Sequence, residues 1–519
     1  MTIRTLTALT LGAALLASAA SAQTLRYTTQ GDALTLDPHS QNEGPTTAMN
    51  GLIYESLVTR NPALELEAEL ATAWEPVDGG WQFTLREGVT FHGGEEFNAD
   101  DVVFSINRAK AESSDFSTLI DSVTEVEKVD DFTVILRTDG PNPILPNQLT
   151  SIFIMDEGWA TENGVEIPQD YAANEETFAI RNANGTGPFI VEERLPEERT
   201  VLTRNAAWWG EGEFPGNVQR LEYRPITNAA TRVAALLSGE VDFVLDPPLQ
   251  DLNRIEQADG LTVSTTPQIR SIFFGFDQGA EDLRTASVEG NPFSDVRVRQ
   301  AIDMAIDRSA IQRVVMDGLS APGGMVASPG VLGYTEAMDA PTEVDIEMAN
   351  SLMEEAGYGD GFSVRLDCPN NRYNNDEAIC QAAVAMLARI GIEVQLEALP
   401  RAQHFPKIQN RETDFFLLGW GVPTLDSHYI FSFLMDSEGS WNATGYSDPQ
   451  LDELVAAMAV ETDLEARGEL ISQAWTIVDE ALPYSVIHHQ VLAWGLAENV
   501  ELPIAADDTP RFRYAIVNE

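Results

Sequence analysis

Apolar residues recur along this chain with two different periods. Trp81, Phe83 and Leu85 alternate with polar neighbours, as do Phe132, Val134 and Leu136, which predicts half-buried strands. Asn98 stands where a helix cap belongs, with Asp101 three residues on, and Val102, Ile106 and Ala109 then share one helical face. Val298, Ala301, Ile302 and Ala305 follow the same helical spacing. Residues 221–224 predict a strand, the stretch through Ala229, Val233, Leu236 and Leu237 a helix ended by Gly239, and 241–244 the next strand. Together they form a βαβ unit with parallel strands and a right-handed crossover. Strands alternating with helices predict an α/β fold.

The alternation is clearest from residue 362 onward. It predicts a strand at 362–366, a polar loop at 369–375, a helix from about 376 to 389 and a strand at 392–398. A helix at 401–410, a strand at 414–420 and a second polar loop at 421–428 complete the stretch. The two polar loops leave the carboxyl ends of strands expected to share a sheet, where open α/β sheets hold their ligands. Arg372 offers a planar fork for a carboxylate, with Asn371 beside it. Tyr373 and Trp420 offer flat apolar walls, Gly421 opens the second loop, and Asp426 could pair with an amine and His428 donate or accept. Set against this are a surface ion pair for Arg372, core packing for Trp420, a capped turn for Asp426 and a structural role for His428.

Composition narrows the class of protein. At 519 residues the chain exceeds one ordinary core, and 44% apolar content argues against disorder. Against 82 acidic residues stand 31 Lys and Arg, a formal charge of −51 that repels nucleic acid and anionic membranes. We read it as a solvated surface suited to saline surroundings; stability falling steadily with added salt would contradict this. Residues 1–22 carry Arg4, an apolar run and Ala20-Ser21-Ala22. They read as a signal peptide cleaved before Gln23, with no Cys for a lipid anchor, which predicts a periplasmic protein. In that oxidising compartment Cys368 and Cys380 are expected to form a disulfide, worth roughly 3 kcal/mol in the chain-entropy model.

Enzyme signals are weak: the chain has no nucleophile elbow, P-loop or HExxH motif. His488-His489 sits in an apolar strand whose alternation points the two rings apart, so one buried and one exposed structural histidine are expected, with no metal site. No cofactor is expected.

The chain carries WQFTLREGVTFHGGEEFNADDVVFSINR at 81–108, GTGPF at 185–189, RNAAWWG at 204–210, RPITNAATRVAALLSGEVDFV at 224–244, VRQAIDMAID at 298–307 and GYSDPQLDEL at 445–454. In this order, over nearly the whole chain, these motifs resemble the periplasmic solute-binding proteins of ABC importers, extracellular family 5, which includes dipeptide-, oligopeptide- and nickel-binding members. The resemblance implies a class II periplasmic-binding-protein-like α/β fold of mixed sheets with two hinged lobes. Domain I would comprise 23–62, 183–268 and 485–519, and domain III would span 269–484. An added α/β domain II at 63–182 would carry the 81–108 signature in a structural role. A peptide or peptide-like solute would be held between domains I and III and passed by a monomeric receptor to an inner-membrane permease. Arg372 is the nearest equivalent of the arginine that receives a peptide carboxylate in relatives. Trp420 matches their Gly-Trp strand end, but Gly421-Val422-Pro423 lacks the acid that follows it there, and Asp426 comes later. An oligosaccharide, an opine or amino-acid derivative, or nickel or a metallophore remain as other solutes, and a secreted hydrolase as another class.

Overall fold

The computed structural model describes residues 23–518, so the leader expected at 1–22 lies outside the described residues. Most of the chain is organised by one mixed sheet, whose element order follows from long-range pairing more than from adjacency in sequence. The strands used below are β1 (Thr24–Thr28), β2 (Leu261–Phe276), β3 (Phe362–Pro369), β4 (Ile392–Leu399), β5 (Phe415–Gly421) and β6 (Tyr484–Ala497). The helices used below are α1 (Gly44–Asn50), α2 (Asp376–Leu387) and α3 (Arg401–Gln409). One half of the sheet runs β4, β3, β5, β2, with β3 parallel to both β4 and β5. The other half runs from Phe243–Val244 through β1 and Arg220–Tyr223 to two antiparallel edge strands at 199–204 and 189–195.

The long antiparallel pair β2 and β6 joins the halves. Leu261–Pro267 pairs with 491–497, and Ser271–Gly275 pairs with 484–489. Between Pro267 and Ser271 the register shifts, because proline offers no N–H to the ladder. That break frees Gln268, Ile269 and Arg270 to face a cavity.

A separate four-stranded antiparallel sheet of 71–77, 80–85, 133–138 and 123–130 packs with the helix Ala99–Ala109, so the 81–108 signature builds this unit's core. Asn98 and Asp101 cap that helix reciprocally, as their spacing predicts. The strands at 220–223 and 243–244 run parallel as expected, but β1 lies between them and pairs with both. Nothing local could show that insertion, since β1 comes from the start of the chain.

Two further expectations meet the structure differently. His488 and His489 are both buried, because β6 is a central strand covered on both faces. His489 bonds Ser271 through Nδ1 and Asp339 through Nε2. Burial, with the adjacent His489, drives the His488 pKa down to about 3. Cys368, near the end of β3, and Cys380, on α2, are joined by a disulfide that closes the base of the 369–375 loop. Reducing it, or replacing either cysteine with serine, is expected to lower stability by roughly 3 kcal/mol, read as a downward thermal shift under reductant.

Candidate functional site

The loops at the carboxyl ends of β3 and β5 face the 23–62 segment across a cavity of about 200 Å³. The size suits a compact solute, since it is smaller than the roughly 300–1,000 Å³ of drug-sized sites. One wall is aromatic. Trp420 is the next-to-last residue of β5, and its ring lies 5.7 Å from that of Tyr429 and 5.6 Å from that of Trp441. Tyr373 is buried beneath, its hydroxyl donating to the Gly419 carbonyl at 3.1 Å.

The opposite wall begins at Glu43, which caps α1. Its Oε2 accepts from the Thr46 N–H and hydroxyl at 3.0 and 2.9 Å, and its Oε1 meets Arg372 Nε at 2.6 Å and Arg401 Nη1 at 3.0 Å. Burial by itself would raise this carboxyl, but the charges of Arg401 and Arg372 and the bonds from Thr46 outweigh it and hold Glu43 below the usual carboxylate range. Arg372 shares the single charge of Glu43 with Arg401 and so faces the cavity only partly neutralised, with its guanidinium 4.8 Å from the Tyr373 ring centre.

Arg270 is different. It is buried beside Arg372 and has no carboxylate partner, and its Nε has no hydrogen-bond acceptor. Burial, and then the charge of Arg372, lower its pKa to about 10, so it stays a cation at neutral pH. The two guanidinium groups converge on Gly44, where a Cβ would lie 3.1 Å from Arg372 and 3.3 Å from Arg270; only glycine leaves that space open. Gly421 serves Arg270 in the same way, since a Cβ there would lie 3.2 Å from it.

The residues expected from sequence fall into two groups. Arg372, Tyr373, Trp420 and Gly421 line the cavity together. Asn371 lines a smaller adjoining space of about 30 Å³, and its side chain accepts the Arg401 N–H at 2.7 Å. Asp426 and His428 lie outside the cavity lining. Asp426 caps the short helix Ser427–Ile430 and pairs with Arg467 at 2.9 Å, the capped turn weighed against an amine site. Burial lowers the His428 pKa to about 4. His428→Gln is expected to leave solute affinity within about twofold by calorimetry.

Sequence reasoning missed Arg270, Glu43 and Arg60. A lone charge in the apolar run Ile269 to Phe276 was a signal for Arg270; Glu43 and Arg60 carried none. It also missed what the motifs at 185–189 and 204–210 build. Thr186, Trp208 and Trp209 all donate to the cavity-lining carboxylate of Glu55, at 2.8 to 3.0 Å.

A cavity between strand-end loops, with an aromatic wall and a buried cation lacking an ion-paired acid, has the features of a small-solute site. The chain belongs to the bacterial extracellular solute-binding proteins, family 5, whose family model matches residues 65–442. It is 25% identical over 496 residues to the glutathione-binding protein GsiB of Escherichia coli (strain K12), covering 92% of this chain and 91% of that one. The fold matches the periplasmic binding protein DppA of Helicobacter pylori in complex with peptide STSA, with a TM-score of 0.84 at 22% identity, covering 96% of this chain and 98% of that one. It matches a dipeptide-binding protein from Pseudoalteromonas sp. SM9913 in complex with Met-Leu with a TM-score of 0.85 at 24% identity, covering 96% and 100%. The mixed α/β architecture is that of the periplasmic binding proteins.

Proposed function

We propose that this chain is the periplasmic receptor of an ABC importer, capturing a small peptide or peptide-like solute and presenting it to an inner-membrane permease. The observation that carries the reading is Arg270, a buried cation in the cavity wall with no carboxylate within ion-pair distance. Burying an unpaired charge is costly, and a carboxylate arriving with the solute offsets that cost. Trp420, Tyr429 and Trp441 supply the apolar surface, and the unpartnered indole N–H groups of Trp420 and Trp441 are free to donate to it.

The lobes in this reading are 23–62, 183–268 and 485–519 on one side and 269–484 on the other, with 63–182 added to the first. The register break in β2 at Pro267–Ser271 falls on the boundary and is a natural hinge. Glu43 with Arg372 and Arg401, and the Gln30 amide with the Tyr373 carbonyl, join the two sides across the cavity. A leader ending at Ala22 delivers the chain to the periplasm in this scheme.

Native mass spectrometry of the purified protein, followed by calorimetry with di- and tripeptides, tests the reading. Binding of a peptide or peptide-like solute without turnover is expected. Turnover of the bound molecule, or failure of every such solute to bind, would remove it.

A further inference from the structure

The charges that line the cavity do not balance. Among the described residues ten arginines are buried. Seven of these face a carboxylate: Arg108, Arg194, Arg232, Arg308, Arg401, Arg467 and Arg513. Arg60, Arg270 and Arg299 have no carboxylate within ion-pair distance; the carboxyl whose charge reaches Arg270 most strongly is Asp508, which desolvation pushes up to about 7. Arg299 is not part of the cavity lining and spends its N–H groups on the carbonyls of Phe293, Ala481 and Leu482. The other two line the cavity. In a chain of net charge −51, leaving two buried cations without an acid at one cavity is not explained by a shortage of acids.

Arg60 bonds only neutral oxygens: the carbonyls of Pro423 and Leu64 at 2.8 and 2.7 Å and the Asn147 side chain at 2.8 Å. The acid whose charge reaches it, Asp507, is taken by Arg511 at 2.6 Å. The Arg60–Arg511–Asp507 group therefore keeps one net positive charge. Arg270 lies against Gly421 and Arg60 against Pro423, so the two cations flank the same three-residue stretch of wall.

The lining carboxylates show the reverse pattern, since every one is committed. Glu43 holds Arg372 and Arg401, and Glu55 holds Thr186, Trp208 and Trp209. Glu69 holds Arg513 and Ser56, and Asp507 holds Arg511. Glu55 has no cationic partner, but both its oxygens accept neutral donors and burial, with the charge of Glu69, pushes it up to about 8, so none of the four is a free carboxylate left to receive an ammonium at neutral pH. The buried lining side-chain atoms without a hydrogen-bond partner are nitrogens of Gln268, Arg270, Arg372, Trp420, Trp441 and Arg513, all donors, and the Tyr54 hydroxyl, which can donate or accept.

We infer that the solute is a compact dianion, with one anionic group at Arg270 and Arg372 and a second at Arg60, and that a free amine contributes little to its recognition. This rests on the reading of the cavity as the solute site and goes beyond it, since a zwitterionic peptide would present one carboxylate and need one acid.

Three matched probes test it by calorimetry on the full mature chain: Ala-Glu with two carboxylates, Ala-Gln with one, and N-acetyl-Ala-Glu with two and no amine. Ala-Glu is expected to bind at least tenfold more tightly than Ala-Gln, and acetylation to change affinity less than threefold. Arg60→Met is expected to bring the Ala-Glu to Ala-Gln ratio close to one. Should that variant fail to fold, the wild-type ratios decide the matter unaided. Equal affinity for Ala-Glu and Ala-Gln, or loss of binding on acetylation, overturns the inference and leaves the peptide reading standing. Failure of all three probes, and of glutathione as a fourth, overturns both.

Discussion

Arg270→Met is expected to weaken solute binding by about 100-fold while making the solute-free protein more stable. The two effects have opposite signs because they share one cause. Without solute, Arg270 is a desolvated cation facing Arg372 with no acid of its own, and its lowered pKa of about 10 reflects that strain. Met keeps much of the side chain's volume and removes the charge, so relief of about 1–3 kcal/mol is expected, by analogy with the replacement of buried ions by apolar residues. With solute, the same guanidinium receives the carboxylate, and truncating one partner of such a buried pair costs about 2–5 kcal/mol. A mid-range loss of ~3 kcal/mol corresponds to roughly 100-fold in Kd. Calorimetry with the co-purifying solute and thermal melting of the stripped protein read the two halves. A variant that melts lower and binds as tightly as wild type would show Arg270 to be structural.

Glu43→Gln is expected to cause the largest loss of stability of any single change at the site. Gln keeps the shape and can still cap α1 through its side-chain oxygen, so the substitution isolates the charge. Arg372 and Arg401 would then be buried without a counter-ion, beside the already unpaired Arg270. Breaking a buried ion pair by removing one partner costs about 3–5 kcal/mol. The cost also falls on closure, because Glu43 lies in the 23–62 segment and both arginines in the 269–484 segment. Thermal melting reads the stability and small-angle scattering reads the shape; an unchanged melting curve with unchanged scattering would show that Glu43 does not hold the two sides together.

Much of the frame was legible before any coordinates. The Asn98–Asp101 cap, the helical face at 298–305 and the strand–helix–strand run from 362 to 420 follow from spacing alone, because each depends on neighbours within a few residues. The disulfide followed from two cysteines twelve positions apart in an oxidising setting. The site was legible only on one side. The loops after β3 and β5 pointed to Arg372, Tyr373, Trp420 and Gly421, all of which line the cavity. They also pointed to Asp426 and His428, which Arg467 and the local turn turn away from it.

Local periodicity and the order of motifs along the chain were enough to establish an α/β solute-binding protein and one wall of its pocket, since both are written in short stretches. Which charges are spent and which are free is another matter. Glu43 sits 329 positions from Arg372 and 358 from Arg401 (372 − 43 and 401 − 43), and Arg60 reaches Pro423 across 363. Until folding brings those partners together, every arginine in so acidic a chain looks paired; only afterwards do Arg270 and Arg60 stand out as buried cavity-lining cations without an ion-paired acid, because neutralisation acts over a few ångströms of space and takes no account of distance along the chain.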